Sequence, residues 1–317
     1  MKKSVVLLNM GGATNAKEVE TFLKNMFADP NILTVKSSFV RWLIGSIIVF
    51  SRKNKARAHY EQIGYSPLLA LTQKLSSKLS SHLDSKVHIA MRYVPPFAPD
   101  AVKAMAEDEI EDVVLLPMYP HYSSTTTKSS IDDFYKAALA AEYHPKVHVI
   151  EDFYKNRAFN EVIVEKIKAT LGEADAEDFD LVFSAHSLPQ KIIDAGDEYQ
   201  KQIEEHVEIL QNMLYREGIH FRKIYLAYQS KLGPVKWLEP SLGETLHKIK
   251  ESNDKVLIYP LSFTVDNVET VFELGIEYKD EAELLGFAEY KCVPCPNDDD
   301  GFVRVLANII DEKLGIE

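Results

Sequence analysis

His186 lies between small residues after an apolar run, in L-V-F-S-A-H-S-L-P at 181–189. An imidazole so placed can serve as acid, base or metal ligand near neutral pH. A core or capping histidine would give the same local pattern. Downstream, Glu269, Glu273 and Glu277 recur every four residues. On an α-helix they line one face over about 12 Å, at 1.5 Å per residue. Like charges at that spacing oppose helix formation, and no Lys or Arg partner shares the face. A path for cations or protons needs such a ladder, although a solvated acidic face also fits. A third group is basic: Arg52, Lys53, Lys55 and Arg57, followed by Tyr60 and Ser66. A guanidinium pairs bidentately with a carboxylate, and hydroxyls can complete its shell; an ordinary solvated charge run is the alternative. The two cysteines, Cys292 and Cys295, form a C-x-x-C. Two thiols cannot complete a zinc or iron–sulfur site, which takes about four ligands, so a structural pair is expected.

These groups must be positioned by an alternating pattern of short apolar runs and longer amphipathic segments. The runs at 4–8, 87–91, 113–117, 146–150, 180–184, 223–227, 255–259 and 289–293 are mostly apolar throughout, as strands buried on both faces are. Between them, Ile203, Val207, Leu210 and Leu214 recur at helical spacing, with Lys201, Glu204, Glu205 and Glu208 interspersed. Alternating strand and helix predicts an α/β fold with parallel sheets and right-handed crossovers. The eight strands fall into two sets of four. In each set the third strand precedes a polar loop and the fourth precedes a helix, at 158–171 and 301–315. Two similar Rossmann-like domains follow, each a four-stranded parallel sheet flanked by helices. The spans are 1–151 and 152–300, with a helix at 301–317 packing back on the first domain. Ligands of open parallel sheets bind beyond the carboxyl ends of the strands. His186, two residues past a strand ending at Ser184, is therefore expected in a cleft between the domains. The segment from Asp266 to Glu269 and the residues Met10, Arg92 and Tyr93 also lie past strand ends.

The chain has 317 residues, 46% hydrophobic and 26% charged, with 36 basic and 48 acidic side chains and a net charge of −12. That balance argues against nucleic-acid binding, which needs a basic face. Two cysteines argue against a disulfide-stapled secreted fold. No apolar run has the length of a signal peptide or a membrane span. The expectation is a reduced, cytoplasmic protein. Residues 39–50, F-V-R-W-L-I-G-S-I-I-V-F, are too short to cross a bilayer and contain Arg41. No G-x-G-x-x-G or P-loop follows a strand, and G-x-S-x-G is absent; nucleotide binding and serine hydrolysis are disfavoured.

The stretch 181–199 resembles the signature of the ferrochelatase family, with the motif histidine on His186. The resemblance continues in order through L-L-N-M-G-G at 7–12, I-G-Y-S-P at 63–67, M-R-Y at 91–93, residues 119–130, Y-Q-S-K-L-G-P at 228–234, Trp237-Leu238 and D-N-V-E-T at 266–270. The resemblance implies chelatase-type domains and an enzyme that inserts Fe(II) into protoporphyrin, giving protohaem and two protons. It implies His186 and Glu269 as catalytic and metal-contacting residues, and Glu273 and Glu277 as a proton or metal path. Met10, Arg52, Lys55, Tyr60, Ser66, Arg92, Tyr93 and Trp237 fall on porphyrin-binding positions, Arg52, Lys55, Tyr60 and Ser66 as holders of the propionates. Placing those four needs one deletion between Gly64 and Ser66. Residues 39–50 fall on a lip of the active-site mouth, open to peripheral contact with the inner face of the membrane.

The sequence departs from relatives at two positions: Asn267 and Pro95 stand where many or some relatives carry histidine. A titrating relay at either place is therefore not available. Porphyrin and ferrous iron are the implied substrates, with no resident cofactor; relatives with an iron–sulfur cluster use four cysteines. Two alternatives are a chelatase for another metal or tetrapyrrole, such as cobalt or coproporphyrin, and a non-catalytic tetrapyrrole-binding protein. The N-M-G-G turn is closer to the protoporphyrin-using branch. Retention of both His186 and Glu269 speaks for catalysis.

Overall fold

The computed structural model describes residues 2–231 and 233–315. Met1, Leu232 of the 228–234 motif and the last two residues of the 301–317 segment lie outside the described residues. The chain forms two compact units, Met1–Asp152 with Asn297–Glu317, and Phe153–Pro296.

In the first unit, β1 (Lys3–Asn9), β2 (Lys86–Met91), β3 (Asp112–Pro117) and β4 (Lys146–Val149) make an all-parallel sheet in the order β2-β1-β3-β4. The central strands β1 and β3 are buried almost throughout, because helices cover both faces and leave no polar face to show. Val6, Leu8, Val113 and Leu115 pack against Val102, Met105 and Phe134 of the Ala98–Glu107 and Ser129–Ala140 helices. The Asp300–Leu314 helix returns to this unit and packs on the Leu68–Leu83 helix. Its apolar face, including Phe302, Leu306 and Ile310, is buried, and Lys78 reaches Asp300 at 2.9 Å and Asp298 at 3.3 Å. Residues 297–300 thus belong with the first unit rather than the second.

The second unit repeats the plan. β5 (Asp180–His186), β6 (Lys223–Gln229), β7 (Lys255–Pro260) and β8 (Glu289–Cys292) are parallel in the order β6-β5-β7-β8. β5 runs two residues further than its apolar run predicts, since His186 pairs in register with Gln229. His186 is therefore the last residue of a central strand, not a loop residue beyond it. The Tyr199–Arg216 helix buries Ile203, Val207, Leu210 and Leu214, the stripe its spacing predicts.

Residues 39–50 lie in one long helix, Ser38–Gln62. Phe39, Leu43, Ile47 and Phe50 recur at helical spacing and are exposed, as is Trp42 at 62%. The opposite face packs on the Ala16–Ala28 helix. Gly45 permits that approach: a Cβ there would lie 3.2 Å from the Phe27 carbonyl oxygen.

Candidate active site

At the carboxyl end of β5, the backbone of His186 is held on both sides. Its N–H donates to Ser262 Oγ at 3.0 Å, and its carbonyl accepts from the Tyr199 hydroxyl at 2.9 Å. Tyr199 and Ser262 are themselves 2.6 Å apart. The ring places Nδ1 at 2.7 Å from Glu269 Oε2. His186 and Glu269 side chains are 34% and 25% exposed, so the pair faces outward from the sheet end. Among the described residues nothing bonds the other ring nitrogen, Nε2.

Glu269 opens a π-helix, Glu269–Glu277, that continues as the Tyr278–Leu285 helix. The i→i+5 pattern puts more residues in each turn than the 3.6 of an α-helix. The Tyr290 hydroxyl, reaching from β8, supplies a further bond to the Leu274 carbonyl at 2.8 Å, a side-chain insertion of the kind that perturbs a helical ladder. Residues spaced by four still fall near one face of such a helix. Glu269 and Glu273 converge on Ser230, whereas Glu277 is exposed. Ser230 Oγ donates to Glu269 Oε2 at 2.8 Å and also contacts Glu273 Oε2. The Ser230 N–H donates to Glu273 Oε1 at 2.8 Å.

The electrostatics follow from this crowding. Burial works against a charged His186 ring, yet the facing Glu269 carboxylate, aided by Glu273, raises its pKa above the ordinary histidine value. Burial alone would raise Glu269, but the ring and the Ser230 hydroxyl outweigh it and hold the carboxyl below its usual value. For Glu273, burial and then repulsion from Glu269 outweigh the Ser230 bonds and the His186 ring and push it up to about 7. A second titrating group therefore stands close to Glu269 even though Asn267 cannot titrate. Asn267 instead caps the start of the helical segment, where its Oδ1 accepts from the Glu269 N–H at 2.8 Å. Thr270 Oγ1 accepts from the Asn267 N–H at 3.0 Å and donates to Asp266 Oδ1 at 2.8 Å. Tyr199, Ser230 and Ser262 carry much of this site. The first and second sit inside motifs quoted above, but nothing in their spacing assigns them a partner.

Trp237 is half-buried in the same unit and pairs with Pro189 in an isolated bridge. Cys292 ends β8, and Cys295 is fully buried with its N–H on Asp266 Oδ1 at 3.3 Å. Burial pushes the Cys292 thiol up to about 12 and raises Cys295 as well, which keeps both from acting as thiolates. Among the described residues no three His, Cys, Asp or Glu side chains gather closely enough to hold a metal ion.

In the first unit, Met10 follows β1, and its carbonyl accepts from the Tyr93 N–H at 3.0 Å. Arg92 follows β2 but points inward. Its guanidinium meets Asp29 at 3.2 Å and Asp133 at 3.3 Å, and its Nε donates to Ser129 Oγ at 3.0 Å. Tyr93 is fully buried, with its hydroxyl donating to Asp29 Oδ2 at 2.9 Å. Arg52, Lys55 and Tyr60 all lie on the Ser38–Gln62 helix. Among the described residues neither Arg52 nor Lys55 forms an ion pair, whereas Arg57 is bound to Glu61 at 2.7 Å. Tyr60 is buried at 4% exposure, and Ser66 Oγ accepts from the Leu68 N–H at 3.3 Å.

The family model described as Ferrochelatase matches residues 2–314. A protein named ferrochelatase from Nitratiruptor sp. is 49% identical over 309 residues, covering 97% of this chain and 98% of its own length. Another from Sulfurimonas denitrificans is 46% identical over 311 residues, covering 97% and 98%. Among solved structures, SirB from Bacillus subtilis with Fe3+ superposes with a TM-score of 0.59 at 9% identity, over 99% of this chain and 96% of that one. CbiX, described as the terminal enzyme of sirohaem biosynthesis in denitrifying bacteria, gives 0.52 at 11%, over 98% and 99%. At such identities the solved structures speak for the fold alone.

Proposed function

The chain belongs to the ferrochelatase family and inserts ferrous iron into a porphyrin in haem synthesis; within that reaction we propose that His186 is the base for the pyrrole protons. Two such protons occupy the hole the metal must enter. They leave most readily when the macrocycle is bent and its nitrogen lone pairs are exposed, a strain that remote binding energy can support. The observation that carries the reading is the 2.7 Å bond from Nδ1 to Glu269. With the proton on Nδ1 donated to an ionised carboxylate, Nε2 keeps its lone pair and faces outward. Glu269 orients the ring and stabilises its cation, the part a buried acid plays beside a general base.

The pH profile tests this. A base must be unprotonated to act, so kcat/KM rises with pH, and the raised pKa of His186 places that limb above about 6.5, the ordinary histidine value. In Glu269→Gln the attraction is gone and burial remains, so the limb of the residual activity moves to lower pH. Glu273 loses its repelling neighbour and titrates lower too, which moves the limb the same way. A limb that stays in place would remove His186 as the base.

Arg52 and Lys55 fit the porphyrin carboxylates because, among the described residues, they are the unpaired cations of the basic run; a guanidinium–carboxylate bond is charge-assisted. The reading includes no resident cofactor: two inert thiols supply half of an iron–sulfur ligand set. The exposed apolar stripe beside Arg52 and Lys53 fits the interface of an anionic membrane. Trp42→Ala then leaves the denaturation midpoint nearly unchanged, within about 0.5 kcal/mol, against about 3–5 kcal/mol for a buried Trp. The same variant weakens binding to phosphatidylglycerol vesicles by about 1.5 kcal/mol or more, the scale for burying a large apolar side chain. Unchanged sedimentation with vesicles would remove the membrane contact.

A further inference from the structure

We propose that Tyr290 is a positioning residue: its hydroxyl holds the Glu269–Glu277 segment in its π form, and that form keeps Glu269 against His186. The role rests on reading His186 and Glu269 as the reacting pair. The hydrogen-bond ladder along this segment changes its step twice. The Val271 N–H donates to the Asn267 carbonyl at 3.0 Å, an i→i+4 bond. The Tyr278 N–H donates to the Glu273 carbonyl, an i→i+5 bond. In the Tyr278–Leu285 helix the step is four again, and at its end the Gly286 N–H donates to the Ala282 carbonyl. A return from five to four leaves one carbonyl without an N–H of its own. The N–H that an α-helix would give to Leu274 is that of Tyr278, and it goes to Glu273 instead. Leu274 is fully buried, so water cannot reach its carbonyl, and an unmet buried acceptor costs free energy. The Tyr290 hydroxyl donates to that carbonyl at 2.8 Å.

The change of step decides where Glu269 points. Each i→i+5 turn encloses one residue more than an i→i+4 turn. If the Leu274 carbonyl takes back the Tyr278 N–H, the segment closes as an α-helix and its first turn shifts by one residue, about 100° at 3.6 residues per turn. The far end cannot take up that rotation, because Ala282 is buried in the core of the second unit with Val256 and Ile258. The turn that carries Glu269 rotates instead, and the 2.7 Å bond to His186 Nδ1 is lost. The Tyr290 ring packs against the same core, which holds the hydroxyl in place. The first unit repeats the plan without the donor. There the π-segment after β3, Ser124–Lys128, has five residues against nine. The position equivalent to Tyr290 is Val147: each stands one residue past the first pair with the neighbouring strand, Lys146 with Asp112 and Glu289 with Lys255. Valine has no donor, and the π-segment of that unit is the shorter.

Tyr290→Phe removes one oxygen and keeps the packed ring. Steady-state iron insertion, the thermal midpoint and backbone amide exchange are measured on the full chain well below the midpoint, with Glu269→Gln beside it. The expected fall in kcat is about 10–100-fold, since a reacting group misplaced by about 1 Å loses up to that much. KM for porphyrin stays within about twofold, because the cations proposed to hold its carboxylates lie on the Ser38–Gln62 helix. Amide exchange quickens across 269–278 and not in β5. Replacing Tyr290 by para-aminophenylalanine, which keeps an N–H donor at the same place, restores most of the lost rate. A Tyr290→Phe loss of less than about tenfold, a loss carried by KM for porphyrin, a rate that recovers fully on cooling, or exchange unchanged across 269–278 would each overturn the role. So would a para-aminophenylalanine variant no faster than Tyr290→Phe, since the donated bond would then not be what was lost. If Glu269→Gln is inactive and Tyr290→Phe is not, only the positioning role fails; if Glu269→Gln retains the parent rate, the underlying pair fails first.

Discussion

His186→Ala is expected to abolish iron insertion, by about 10²–10⁴-fold, the range for removing a positioned general base, while porphyrin still binds and the fold persists. The fold persists because the bonds that fix this strand end are backbone bonds: N–H to Ser262 Oγ and carbonyl from the Tyr199 hydroxyl. Alanine keeps both. The ring is a third exposed, so its loss leaves no large cavity. Porphyrin binding is expected to persist because the cations proposed to hold its carboxylates, Arg52 and Lys55, lie on the Ser38–Gln62 helix and not on the strand that ends at His186. The measurements are porphyrin affinity by fluorescence quenching, the thermal midpoint and the insertion rate. A variant that binds porphyrin normally and inserts iron within about tenfold of the parent would fall short of what a general base contributes and remove the mechanism.

The strands, the two-unit repeat and His186 are legible in the sequence because they depend on local pattern. Val5 to Leu8 and Leu181 to Ala185 are buried on both faces, and a strand with no polar face shows as an unbroken apolar run. His186 falls at the expected sheet end even though β5 extends to include it. The acidic ladder is legible in the sequence, but the kind of helix that carries it is not. Four-residue spacing suggests an α-helix, and nothing in the composition of 269–277 announces a π-helix. A hydroxyl from Tyr290, which lies on β8, bonds to the Leu274 carbonyl within it. Ser230 is beyond local reading for the same reason: its partners are 39 and 43 residues away.

Arg92 and Tyr93 show that contacts distant in sequence decide where a motif's side chains go. M-R-Y lies past a strand end, the region where ligands of open parallel sheets bind. What turns them inward is Asp29, 64 residues from Tyr93 in sequence and only 2% exposed. No pattern around residue 92 carries that information. The same network surrounds a buried carboxylate, which must be paired and hydrogen-bonded.

Arg92→Ala should accordingly cost stability before it costs porphyrin affinity, by about 3–5 kcal/mol, the penalty for stranding a buried charge by removing its partner. Asp29 would keep hydroxyl donors from Tyr93 and Ser129 but lose its cation. Asp133, already raised by burial with Arg92 opposing the shift, would lose that opposition too. Were Arg92 instead a porphyrin contact, the variant would keep its denaturant midpoint and bind porphyrin more weakly by about 1.5–3 kcal/mol, the scale of a hydrogen bond to a charged group. Denaturant midpoints at constant m-value, measured beside porphyrin titrations, separate the two. A second substitution sharpens the comparison. Asp29→Asn in the Arg92→Ala background removes the stranded charge while keeping a group that both hydroxyls can bond, so it should recover more than half of the lost stability. If the double variant is instead less stable than Arg92→Ala alone, the network is held together by shape and hydrogen bonds, and the buried charge pair is not its organising element.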